Sequence, residues 1–480
     1  MKPLIASKKT WNLENGVRLL LLTVVIAGLL AARAEAVQNF NIKIGIADGV
    51  KSGKISGKGL VLTDAKGTKV SLGDGSVIAV SGNGISAAKK NLTLPVRVSA
   101  KGGLGWENVR YRGSLSLVRG GGGFTVVNEL DLESYLRGIL KMEMNPEWPF
   151  EALKAQAILA RTYAAKNRGR FAARGYDLDA TENSQVYRGV NAEDPRTDRA
   201  VAETKGMVLT WSGATADIFY HSDSGGSTAD VSHVWGGTIP YLKTRAEPVN
   251  YTSPYSTWQA TVSAAQISSI MSNMGKNVGR VSSVEVAQRD SAGRAIALRV
   301  TGDLGSSVIK AHAFRMAAGS SVIRSTNFNI SGASGTSPAA AANLSPAPTK
   351  PANASQVAAN LVSFSGNIDP LIEMTKGNVF TNAEMLDMLM NPDKREEYLK
   401  IGFQRISGKQ TPQPAQPPQP KEDKPYPQIK TTSNGSFVFS GKGWGHGVGL
   451  SQWGAKAMAE NGSRCEDILA HYFPGTKIGR

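Results

Sequence analysis

The chain of 480 residues holds a single cysteine, Cys465. One thiol excludes an intrachain disulfide framework, an iron–sulfur cluster and any multi-cysteine zinc site. Acidic residues are scarce too: 38 Asp and Glu stand against 55 Lys and Arg, a net charge of +17. A chain this basic favours polyanionic surroundings, whether nucleic acid, anionic lipid or anionic wall polymer. The most apolar run covers residues 19–32 (LLLLTVVIAGLLAA). It is shorter than the ~20 residues a spanning helix needs. With 41% apolar and 19% charged residues, the composition is too apolar for a disordered chain and too polar for a multi-span membrane protein. The 52 glycines follow no collagen triplet and read as turns, hairpins and loops.

The apolar run reads as an address. Lys2, Lys8, Lys9 and Arg18 precede it, and two small-x-small patterns follow, Ala32-Arg33-Ala34 and Ala34-Glu35-Ala36. These are the parts of a secretory signal over residues 1–36, with an uncleaved signal anchor as the alternative. Either form predicts export to the periplasm, the cell wall or the outer face of the cytoplasmic membrane. Nucleic acid is then not an expected partner, and membrane contact is expected only through an uncleaved anchor.

The period of the apolar residues predicts an α+β fold. Residues 37–127 form a β-rich region, in which Phe40, Ile42, Ile44 and Ile46 alternate as in a half-buried strand. Further strand runs are expected at 60–62, 77–80, 92–98 and 109–117, with Asp48-Gly49 and Asp74-Gly75 as turns. A mixed α/β core is expected over 128–330. A helix opens at Pro149 and runs to about Lys166, and a shorter one covers 196–205. Strand runs are expected at 207–211, 216–221, 284–287 and 295–300. Residues 331–434 form a low-complexity insertion of largely disordered composition, with a small partly helical segment at 361–406. The segment 435–480 is expected to complete the core.

Within the helix from Pro149, Lys154 and Arg161 are seven residues apart. Two turns put them on one face, about 10 Å apart along the axis. From one helix alone they read as a solvated basic stripe. Upstream, Glu143 sits between Met142 and Met144. An apolar setting raises a carboxyl pKa and suits a general acid, while an ordinary exposed glutamate is the other reading.

The stretch LESYLRGILKMEMNPEWPFEALKAQAILARTYA resembles the signature of the stage II sporulation protein D / LytB amidase-enhancer family. The likeness continues at Ser184-Gln185-Val186-Tyr187-Arg188-Gly189 and at Phe219-Tyr220-His221-Ser222 with Ser224-Gly225-Gly226 and Trp235. It ends on GKGWGHGVGLSQWGAKAMAENG. The resemblance spans about 125–330 and 435–480, and the insertion interrupts the family pattern. It implies a lytic transglycosylase that cuts peptidoglycan glycan strands stripped of stem peptides. It implies Glu143 as the catalytic acid and Lys154 and Arg161 as substrate-site cations. Some relatives are named amidase enhancers, so a non-catalytic glycan-binding protein that stimulates a cell-wall amidase is the alternative. One carboxyl is chemically sufficient for the first reading. Ordinary glycosidases need two, whereas here the C6 hydroxyl of the substrate serves as nucleophile. Gln185, His221 and Ser222 are further substrate-site candidates. Tyr187, Trp235 and Trp444 are candidates to stack on sugar faces, with core packing as the alternative for each. His446 and Gln452 are candidates to line the cleft, with fixing of their own loop as the alternative. The run 441–454 is expected beside Glu143.

Three look-alikes carry less. Ser222-Asp223-Ser224-Gly225-Gly226 has the look of a serine-protease nucleophile loop, but His221 is the first histidine of the chain and only three residues upstream of Ser224. The glycines at 443, 445, 447 and 449 lack the Gly-Lys-Ser/Thr of a P-loop. Their spacing suits backbone that closely approaches a glycan or another segment. Some family members bind zinc through a His and two Cys near the His-Ser motif. Here His221 and His233 have no cysteine nearby, so no metal and no cofactor are expected.

Overall fold

The computed structural model describes residues 40–332 and 435–480. The signal segment 1–36, the insertion and its 361–406 segment lie outside the described residues. The chain forms two compact units. The first runs through Ile218 and takes back Gly475–Arg480; the second is Phe219–Pro474. Both mix helices and sheets, as an α+β fold requires. Among the described residues no helix is long and apolar enough to cross a membrane.

The first unit begins with twelve strands: β1 (Asn41–Val50), β2 (Ser52–Ser56), β3 (Leu60–Thr63), β4 (Lys69–Leu72), β5 (Ser76–Ser81), β6 (Gly84–Ala87), β7 (Lys90–Thr93), β8 (Val96–Ser99), β9 (Leu104–Trp106), β10 (Val109–Tyr111), β11 (Ser114–Gly120) and β12 (Gly123–Asp131). They divide between two sheets, ordered β13-β1-β12-β11-β8-β3-β4 and β10-β9-β2-β5-β6-β7, where β13 is Leu178–Asp179. Trp106 of one sheet meets Phe124 of the other edge-on at 5.9 Å. Two of the expected strand runs are each split. The run 92–98 breaks at Pro95, which has no N–H for a ladder, and the run 109–117 breaks at Gly113, whose φ is +72°. At both breaks the chain passes from the six-stranded to the seven-stranded sheet. Helix α1 (Leu132–Glu143) follows directly from β12, with the Asp131 side chain accepting from Ser134 N at 3.0 Å. Helix α2 (Phe150–Lys166) starts after Pro149, and α3 (Pro195–Glu203) has Asp194 as its N-cap. Strand β14 (Val208–Trp211) is flanked by β15 (Ala214–Thr215) and the C-terminal β24 (Lys477–Gly479).

The second unit holds β16 (Tyr220–His221), α4 (Val231–Val234), β17 (Trp258–Ser263), α5 (Ala264–Asn273), β18 (Val281–Arg289), β19 (Ala295–Gly302), β20 (Gly305–Lys310), α6 (Ala311–Ala318), β21 (Phe328–Gly332), β22 (Ser436–Gly441), β23 (Leu450–Ser451), α7 (Gln452–Glu460) and α8 (Cys465–Tyr472). Its core gathers Trp258, Phe314, Phe328, Phe437 and Phe439 with aliphatic residues of β17–β22 and α5–α6. The expected strand 216–221 shrinks to β16, because it pairs only with the two residues of β23.

Strands β21 and β22 are antiparallel neighbours, with Gly332 opposite Phe437. The insertion therefore leaves and re-enters at one end of a single strand pair, whose facing Cα atoms are ~5 Å apart. Deleting 335–430 and joining the ends by a short flexible linker is expected to leave the second unit folded. Calorimetry checks this, and loss of the thermal transition would contradict the strand pairing.

Candidate functional site

In the first unit Glu143 is the last residue of α1 and is half-buried. The loop after it is pinned by Arg196, which donates from Nε to Pro146 O at 2.7 Å and from Nη2 to Trp148 O at 2.9 Å. The loop delivers Phe150, whose ring lies under the Lys154 ammonium at 5.8 Å and the Arg199 guanidinium at 4.6 Å. Lys154 is half-buried and 2.7 Å from Glu151. Tyr135 and Tyr163 lie within the electrostatic reach of Glu143. Burial pushes both phenols up and the Glu143 charge adds to it, while at Tyr163 the Arg170 cation works the other way.

The expected basic stripe does not persist along α2. Lys154 reaches solvent, but Arg161 is 1% exposed. Its Nε and Nη2 donate to the two carboxylate oxygens of Glu133 at 2.8 and 2.7 Å, and it also donates to Met207 O and Val201 O. The difference has a physical cause. The segment from α3 to β14 folds over the second half of α2, which one helix's periodicity cannot reveal. Arg161 thus ties α1, α2 and α3 together instead of facing a cleft. Gln185 and Tyr187 are also interior. Gln185 is 1% exposed, accepts from Tyr135 Oη at 3.2 Å and donates to Ala160 O at 3.3 Å. Tyr187 is 2% exposed and donates to Asn128 Oδ1 at 2.7 Å, so of its two readings the structure has core packing.

In the second unit, His221, Trp235 and His446 come together with Phe219 and His312. Trp235 stands 4.7 Å from Phe219, 4.9 Å from His446 and 5.9 Å from His312, and the His221 and His446 rings are 5.4 Å apart. His221 Nδ1 lies 3.2 Å from Val448 O, and its Nε2 is buried with no hydrogen-bond partner among the described residues. His446 Nδ1 accepts from Val448 N at 3.0 Å, so His446 fixes its own loop. Ser222 is half-buried, and its carbonyl accepts from Trp453 N at 3.0 Å. Gln452 opens α7, half-buried. Trp444 exchanges two backbone hydrogen bonds with Asp223 and lies 4.7 Å from Tyr255. The alternating glycines approach the chain itself. A Cβ on Gly443 would lie 2.6 Å from Asp223 O, and one on Gly449 would lie 2.0 Å from Phe219 O.

Sequence reasoning missed a buried polar network behind this segment. Ser224 Oγ and Tyr472 Oη each donate to the Glu247 carboxylate, and Tyr251 Oη and Ser253 Oγ each donate to Asp223. Arg294 is buried against Ser227 O at 2.8 Å and also donates to Ser224 O. Ser224 thus bonds a carboxylate and not a histidine, which accounts for the protease-like motif as scaffold. No signal in the sequence marks Glu247, which is about twenty residues from the motif. Among the described residues no group of three or more His, Cys, Asp and Glu is arranged to hold a metal ion.

The histidine cluster makes stability pH-dependent. Burial, aided by Arg294, pushes His221 down to about 3, and burial with Arg315 and Lys310 does the same to His312. His446 is lowered strongly, first by burial. In the unfolded chain these rings bind protons near pH ~6.5. Below that pH the unfolded state holds more protons, so stability falls as pH falls, by about 1.4 kcal/mol per pH unit for each ring kept neutral, down to about 3 for His221 and His312. Glu247 acts oppositely. Burial raises its carboxyl, so it contributes stability at low pH that is lost as pH rises through its folded value. Three histidines outweigh one carboxyl. The melting temperature is expected to drop clearly between about pH 7 and about pH 5, and a constant value would contradict the buried neutral cluster.

The α1–loop–α2 arrangement that presents Glu143 lies within residues 120–211, the stretch matched by the family profile described as Stage II sporulation protein. That stretch carries the family's match, and over a longer span the chain is similar to proteins named stage II sporulation protein D and amidase enhancer. It is 29% identical over 198 residues to an uncharacterized protein of Brachyspira hyodysenteriae, covering 40% of this chain and 53% of that protein. It is 28% identical over 347 residues to the amidase enhancer of Bacillus subtilis, covering 72% of this chain and 40% of the enhancer. With the stage II sporulation protein D of Bacillus amyloliquefaciens it shares 24% identity over 367 residues, 73% of this chain and 75% of that protein. The chain thus spans about half the length of the first two relatives.

Proposed function

We propose that the protein is a peptidoglycan lytic transglycosylase that acts on glycan strands stripped of peptides, in cell-wall remodelling or sporulation. One observation carries the reading. Of the residues the resemblance names in the first unit, Glu143 and Lys154 reach solvent, whereas Arg161, Gln185 and Tyr187 are buried. That leaves one acid and one cation, which is what substrate-assisted cleavage needs. Glu143 protonates the glycosidic oxygen as the bond to C1 breaks. The C6 hydroxyl of the same muramoyl residue attacks C1, and Glu143 takes back its proton, giving a 1,6-anhydro end without consuming water. Lys154 holds the lactyl carboxylate of the substrate by a charge-assisted contact.

The second reading, a glycan-binding enhancer of a wall amidase, draws support from the amidase enhancer it resembles. Peptide-stripped strands separate the two, because an amidase has no bond to cut there. The transglycosylase reading expects the strands to shorten with this protein alone. The enhancer reading expects intact strands, with faster peptide release from whole peptidoglycan only when an amidase is added.

A further inference from the structure

The twelve-strand region carries a charge imbalance that the proposed cleavage does not use. Between residues 41 and 120 there are thirteen Lys and Arg against four Asp and Glu. All thirteen cations are exposed, while Asp64 is buried under its own turn. The strand registers place several of them on one surface. In the seven-stranded sheet, Leu60, Leu62, Val70, Val96, Val98, Leu115 and Leu117 point inward and are buried. The alternate residues of β4, β3, β8 and β11 therefore form the outer face. They are Lys69, Ser71, Val61, Thr63, Arg97, Ser99, Ser114, Ser116 and, at the end of β11, the half-buried Val118 and Gly120. Thr63 is the cross-strand partner of both Lys69 and Arg97, which sets those cations ~10 Å apart. At the far end of the same strands Lys101 N donates to Lys58 O at 2.8 Å, so two more exposed cations adjoin. None of Lys58, Lys69, Arg97 and Lys101 is ion-paired with a described residue.

We propose that this face binds a linear polyol-phosphate chain, a phosphodiester-linked anionic polymer of the wall. The four cations meet successive phosphates as point charges, and the Ser and Thr hydroxyls between them meet the polyol and phosphate oxygens. The face carries no aromatic side chain. A nucleic-acid single strand, which gains affinity by stacking bases on aromatic rings, finds no platform there. A lipid surface finds no exposed large apolar side chain on it to insert. The site stands on its own observations and not on the glycan-cutting reading.

The test is fluorescence anisotropy of labelled poly(glycerol phosphate) with the full chain, beside oligo(dT) and phosphatidylglycerol vesicles. Neutralising four phosphates predicts a log–log salt slope of about −2.8, so that affinity falls roughly fifty-fold between about 50 and about 200 mM salt. The quadruple variant Lys58→Ser, Lys69→Ser, Arg97→Ser, Lys101→Ser should lose at least tenfold in affinity and most of the salt slope, with its melting temperature unchanged. A control variant, Lys51→Ser with Lys90→Ser, should bind nearly as wild type. Absence of binding at low salt, equal losses in both variants, or tighter binding of oligo(dT) or vesicles than of poly(glycerol phosphate) would overturn the proposal.

Discussion

Glu143→Gln is expected to lower glycan-strand cleavage by about 10²–10⁴, the usual worth of general acid–base catalysis, with the thermal transition unchanged. The amide keeps the shape of the carboxyl and removes its proton. Glu143 is half-buried at the last position of α1, and the near-isosteric exchange leaves the buried Tyr135, Leu136, Ile139 and Leu140 of that helix unchanged. Strand-length analysis and calorimetry on the same preparation check both halves of the expectation. Near-wild-type turnover would remove Glu143 from the mechanism, and loss of the transition would make it a folding residue.

Arg161→Met is expected to destabilise the first unit by about 3–5 kcal/mol, because it strands a carboxylate in a setting built for a pair. The Glu133–Arg161 contact is bidentate, and Arg161 is 1% exposed. The double variant Glu133→Gln with Arg161→Met should recover part of that loss, since it leaves no stranded charge. Denaturant unfolding of the two single variants and the double variant measures the coupling. A variant Arg161→Met with wild-type stability and weakened glycan affinity would restore the substrate-contact role.

These two residues show what the sequence makes legible. Pro149 and the acidic residues around it mark the start of α2, and the alternation of Ile42 and Ile44 marks β1, because both signals are local. Arg161 shares the helical face of Lys154 by spacing, yet the two differ in exposure because α3 covers only one of them. That depends on contacts forty residues away. The runs at 92–98 and 109–117 look continuous in hydropathy, and only the lone Pro95 and Gly113 mark the change of sheet. The glycines at 443–449 announce a close approach, but the partner, the 219–225 segment, lies more than two hundred residues upstream. Glu247 illustrates the remainder. A buried carboxylate held by Ser224 and Tyr472 has no local pattern at all.

The measurement that bears most directly on the proposed chemistry is mass spectrometry of peptide-stripped glycan strands digested in ¹⁸O-labelled water. Intramolecular attack by the C6 hydroxyl consumes no water. The account predicts new 1,6-anhydro-muramoyl ends that carry no ¹⁸O. Reducing ends bearing one ¹⁸O would show hydrolysis, and strands of unchanged length would leave the protein a binder; either result would contradict it.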